Sequence, residues 1–111
     1  MTLDCEYDAF KETNLKAPCK VTLVNDKGEI VLDTLINQRG PEGEVRKLRR
    51  EVWIHGISSS DLEDAPTFEE VKKHIFSILD KEKTILVGHS TKQDLIVMEL
   101  IGYRFLDTSL I

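Results

Sequence analysis

The chain of 111 residues has only two cysteines, Cys5 and Cys19. That is too few for a disulfide framework, and C-x-x-C spacing for zinc or redox chemistry is missing. Proline and glycine are sparse, at 3 and 6 residues, beside 41% hydrophobic and 32% charged residues. This is the composition of an ordinary globular protein, which excludes disordered and low-complexity classes. No apolar run approaches the roughly 20 residues of a membrane-spanning helix. The start MTLDCEYD lacks the basic and apolar regions of a signal peptide, so an intracellular protein without membrane attachment is expected. A basic excess is lacking too: net charge is −5. That argues against a protein that passively coats nucleic acid. It weighs less against an enzyme whose metal ions reverse the local field. The single basic cluster, Arg46-Lys47-Leu48-Arg49-Arg50, also fits a solvated loop or helix face. With no internal repeat or linker, residues 1–111 form one domain at most.

What is present begins with Asp4-Cys5-Glu6, behind the apolar Leu3. In a strand over Leu3 to Tyr7, Asp4 and Glu6 project from one face and Cys5 enters the core from the other. Adjacent carboxylates with no base between them repel and invite a cation, and hard oxygen donors suit Mg²⁺ or Mn²⁺. A solvated edge strand is the plainer alternative. Cys19 is expected in the core at the start of the next strand, and neither thiol looks catalytic.

Residues 8–18 read as a polar loop. CKVTLVN (19–25) and EIVLDTLI (29–36) alternate around the turn residues Asn25 to Gly28, which predicts a hairpin and, with the first strand, an antiparallel meander. Residues 37–51 read as a long surface loop, a length often functional. Ser58 to Leu62 offers caps for a short helical turn closed by Pro66. Thr67-Phe68-Glu69-Glu70 is a capping box, and Phe68, Val71, Ile75, Ile78 and Leu79 form a helical stripe that leaves Lys72, Lys73 and His74 outside it. TILV (84–87) reads as a strand buried on both faces. Residues 92–101 read as a helix apolar on nearly all sides and deeply packed, and Phe105-Leu106 as a further strand. The order β-β-β-α-β-α-β describes a mixed sheet with packed helices. Gly88-His89-Ser90, at the carboxyl end of a parallel strand, is where ligands gather in such sheets.

Asp94 stands out among the Leu, Ile, Val and Met residues of its helix. A carboxylate entering a packed helix is costly unless a metal, a cation or backbone donors satisfy it. An interaction with the helix dipole or with Lys92 is the simpler explanation. If the first and fourth strands are near neighbours, Asp4, Glu6 and Asp94 converge on one cleft, an arrangement suited to two-metal phosphodiester chemistry.

In this order, Leu3-Asp4-Cys5-Glu6 resembles the first motif of the DEDDh 3′–5′ exonucleases, in particular the LDCEM opening of eukaryotic RNA exonucleases. Val87-Gly88-His89-Ser90 with Lys92-Gln93-Asp94-Leu95 is similar to the second motif, VGHxxxxDL. His55-Gly56-Ile57-Ser58, Asp61-Leu62 and Ala65-Pro66-Thr67-Phe68 resemble the connecting segment, and Asp107-Thr108-Ser109 the "DT" strand. The resemblance spans essentially the whole chain. It implies a ribonuclease-H-like α/β fold, two Mg²⁺ or Mn²⁺ ions, and release of nucleoside monophosphates from the 3′ ends of single-stranded RNA, or of DNA. It implies that Asp4 bridges both metals, Glu6 binds the catalytic one, and Asp94 supports the second. Tyr7 would pack on the terminal nucleotide, His55, Gly56 and Ile57 would lie along its base or ribose, and His89 would shape the site. Relatives of this kind are often nuclear or nucleolar, which favours those compartments over the cytoplasm.

Two features depart from the family pattern. The third motif, H-x-x-x-x-D, which supplies a general-base His and a fourth carboxylate, does not occur before Ile111, so the domain is expected to be cut at its carboxyl end and weak or inactive by itself. The loop before Gly56 is longer than in relatives and offers Arg46, Arg49 and Arg50 in place of one well-placed Arg. The alternative function is a catalytically impaired module that keeps the fold to bind nucleic acid or to serve as a scaffold.

Overall fold

A computed structural model describes residues 1–10, 16–37, 56–57, 59–89 and 92–110. Strands β1 (Thr2–Ala9), β2 (Lys16–Val24) and β3 (Ile30–Leu35) come first, followed by helix α1 (Phe68–Ile78). Strand β4 (Ile85–Gly88), the short helix α2 (Lys92–Val97) and β5 (Arg104–Asp107) complete the order, with 3₁₀ turns at Ser59–Leu62 and Thr108–Leu110. The sheet order is β3-β2-β1-β4-β5. The first three strands pair antiparallel, and β4 joins β1, and β5 joins β4, in parallel. This is the mixed sheet of a ribonuclease-H-like α/β fold, as the motif order implies. Among the described residues no helix is long and apolar enough to cross a membrane.

Local chemistry sets each element. In the β2–β3 turn Asn25 Oδ1 accepts from the amides of Lys27 (3.0 Å) and Glu29 (2.9 Å), and Gly28 takes φ +79°, open to glycine at little cost. Helix α1 opens with the expected capping box: Thr67 Oγ1 accepts from Glu70 N, and Glu70 Oε2 accepts from Thr67 N. After α1, Asp80 Oδ1 accepts from Glu82 N and Lys83 N, turning the chain into β4. Leu3, Cys5, Val21 and Leu23 line the inner sheet face, against which Val71 and Ile75 of α1, the C-cap Leu79, and Leu95, Met98 and Leu100 from the α2 region pack with Leu86 and Tyr103. A second cluster holds Phe10, Ala17, Cys19, Ile57 and Leu62.

Several expectations are corrected. The polar stretch after Tyr7 is not all loop: β1 continues to Ala9 and β2 already starts at Lys16. Strand β4 is not buried on both faces, since Leu86 is fully buried but Ile85 is exposed. Helix α2 ends at Val97 instead of Ile101, and Ile96 and Ile101 face outward. Lys72 is outside the apolar stripe yet largely covered, with Glu99 at 2.6 Å and Glu69 at 3.2 Å from its ammonium. His74 is exposed, as read. The cluster Arg46 to Arg50 lies outside the described residues.

Candidate metal and substrate site

Alternation along β1 buries Leu3 and Cys5 and leaves Asp4 and Glu6 exposed on the opposite face. Two residues of strand rise separate them by about 7 Å. Their cross-strand partners are Thr22 opposite Asp4 and Lys20 opposite Glu6. The ladder then slips: Tyr7 pairs with Pro18, so Cys19 is an extra residue on β2 and forms a bulge beside Glu6. Bulges of this kind bend a strand and re-aim its side chains. Asp8 follows on the Asp4–Glu6 side of the strand and is buried, with its carboxylate accepting from Ala9 N. The sequence reading assigned Asp8 to a loop and so missed it.

Asp94 is in the first turn of α2 and half-buried. Its carboxyl is pushed up to about 6, first by burial and then by the charges of Asp4 and Glu6. The Cys5 thiol and the Tyr7 phenol are pushed up as well, in both cases by burial first and Asp94 second. Helix α2 packs on β1, and Asp94 there feels the charges of both strand acids. The helix that follows β4 thus brings its carboxylate to β1, the strand next to β4. Among the described residues no three His, Cys, Asp or Glu side chains are gathered closely enough to enclose an ion. The donor set nonetheless fits one: three carboxylates, mutually repelling, supply the hard oxygens that Mg²⁺ or Mn²⁺ prefers.

His89 is exposed at the carboxyl end of β4. Extending the Thr2–Val87 register by two residues brings it level with Asp4. The Thr108 hydroxyl donates to the Gly88 carbonyl (3.2 Å) and lies 3.2 Å from His89 Nδ1. A hydroxyl has one proton, so with Thr108 donating to Gly88 the His89 contact needs Nδ1–H as donor. Thr108 of the "DT" segment thus bridges Gly88 and His89 at the end of β4.

The remaining sequence candidates fall differently. Tyr7 is partly buried against the main core, with the Lys16 ammonium 4.9 Å from its ring centroid. Gly56 is exposed at φ +75° with open space around it, and Ile57 is buried in the second cluster. His55 lies outside the described residues. Cys19 is buried and its thiol pushed up to about 12, chiefly by burial, so it is unreactive, as expected.

With this geometry in view, the chain can be set beside the curated proteins it is similar to. It is 34% identical over 101 residues to "RNA exonuclease 4" of Cryptococcus neoformans, covering 90% of the chain and 23% of that protein. It is 34% identical to "RNA exonuclease 4" of Saccharomyces cerevisiae, covering 86% of the chain and 31% of that protein. These homologues are named RNA exonucleases and are members of the DEDDh exonuclease family. "Small RNA degrading nuclease 2" of Arabidopsis thaliana matches at 29% identity across 100% of the chain and 22% of its own length. No protein-family model matches. The chain thus spans between 22% and 31% of the length of these three curated relatives.

Proposed function

We propose that the chain carries the metal platform of a 3′–5′ exonuclease that hydrolyses phosphodiester bonds at the 3′ end of single-stranded RNA and releases nucleoside monophosphates. The observation that carries this reading is the placement of Asp94 in the first turn of the helix that packs on β1, the central strand that carries Asp4 and Glu6 on its exposed face. Mg²⁺ or Mn²⁺ held by these three would supply a hydroxide-forming water and charge neutralisation for phosphoryl transfer. Around it, Asp4 and Glu6 are fixed by strand pairing, Asp94 by the packing of Leu95, and His89 by Thr108. A nuclear or nucleolar site of action accompanies this reading.

The alternative reading is a module that keeps the fold and binds nucleic acid without turnover. Labelled single-stranded RNA and DNA of one sequence, incubated with the full-length protein and Mn²⁺, separate the two. Stepwise shortening of RNA from its 3′ end, lost in Asp4→Ala, supports the nuclease. Retention of intact RNA bound with Mn²⁺ present supports the module, and shortening from the 5′ end overturns the polarity.

A further inference from the structure

We infer that Lys20 is the cation that receives the nucleic-acid phosphate next to the one at the acidic site, a contact that rests on the nuclease reading above. Lys20 is directly opposite Glu6 in the β1–β2 ladder, and opposed residues share a face with Cβ atoms about 5 Å apart. The Cys19 bulge follows at once, so Lys20 is the last regular partner before the strand bends. Its ammonium is nevertheless not on Glu6. It is turned the other way, toward Asp33 on β3, at 3.8 Å.

That pairing is loose. Both side chains are close to half exposed, at 42% and 45%, and an ion pair this long and this wet contributes little to stability. The same Asp33 oxygen already accepts the Thr22 hydroxyl at 3.0 Å, so Asp33 keeps a partner when Lys20 leaves. Neighbouring strands lie about 4.8 Å apart, so a flexible four-carbon stem on the middle strand serves either flank without backbone movement. Asp4, Glu6 and Asp33 make this face acidic. A polyanion approaching it needs a cation that the acids have not fully engaged, and a lysine held at 3.8 Å by a shared carboxylate meets that need. The phosphate takes the place of Asp33 as the charged acceptor.

The test uses the full-length protein and a 5′-labelled single-stranded oligoribonucleotide. Binding is followed by anisotropy across a salt series with Ca²⁺ as the ion, and turnover with Mn²⁺. Lys20→Met is expected to weaken binding about 3- to 10-fold and to lower the slope of log K against log[salt] by about 0.7, the value of one single-strand phosphate contact. Lys20→Arg should restore the slope, and Asp33→Asn should tighten binding by releasing the lysine. Lys27→Met, the same charge loss on the hairpin turn, should leave the slope unchanged. Equal losses in Lys20→Met and Lys27→Met, or an unchanged slope in Lys20→Met, overturn the contact while RNA shortening by the wild type keeps the nuclease reading. A wild type that neither binds nor shortens the RNA overturns both.

Discussion

Asp94 carries a pH signature that follows from its surroundings. Its folded-state pKa, about 6, lies above the ordinary carboxylate value of 3.8. Between those values the folded protein keeps a proton that the unfolded chain has released. Stability of the metal-free protein therefore falls as pH rises through that window and stays lower above it. Asp94→Asn is expected to flatten this decline and to raise the metal-free melting temperature at pH 7.5, by thermal denaturation at a series of pH values. The two thiols give a second residue-scale prediction. With both cysteines buried and both pKa values raised, neither should react with a thiol reagent at pH 8 until the protein is unfolded. Rapid labelling of the native protein would contradict their burial. At this scale the sequence disclosed the acids and the core thiols, because strand alternation assigns faces. It did not disclose Lys20 or Thr22 as neighbours of the acid pair, because register between strands is a tertiary property.

The shortened helix α2 shows what element-level reading misses and why. Its terminus has the Schellman pattern: Glu99 N donates to Ile96 O, Leu100 N to Leu95 O, and Leu100 packs in the core cluster with Leu95. The residue that must adopt the left-handed conformation is Glu99, at φ +58°. Glycine there would have announced the stop, but a glutamate reads as more helix. The covered Lys72, bonded to Glu99 at 2.6 Å, offsets part of the backbone cost and ties α1 to the end of the Asp94 helix. In a Lys72→Met background, Glu99→Gly should stabilise the fold by about 1 kcal/mol, the left-handed penalty removed. In the wild-type background the gain should be smaller, because the ion pair is lost too; a double-mutant cycle in urea measures the difference. The start of α1, by contrast, was legible in four residues. Thr67→Ala should cost about 1 kcal/mol in the same assay.

At the scale of the whole molecule, the order and direction of the strands join the motifs. Antiparallel pairing of β1 with β2 and parallel pairing with β4 put β1 at the centre, and the helix leaving β4 returns to it. The turn residues at 25–28 and the alternation of 19–36 made the meander legible. The place of β5 beside β4 was not read from the sequence, which disclosed only a further strand at Phe105-Leu106. Exposure at the β4–β5 side was not legible, since Ile85, Phe105 and Leu106 are as apolar as core residues yet stand partly open. The central claim is that three carboxylates from β1 and α2 form one divalent-cation site. Calorimetric titration of the protein with Mn²⁺ at pH 7.5 tests it most directly. The account predicts saturable binding that Asp4→Ala and Glu6→Ala abolish and Asp94→Asn weakens at least about 10-fold, with each variant still folded by circular dichroism. Undiminished Mn²⁺ binding in the Asp4 and Glu6 variants would contradict it.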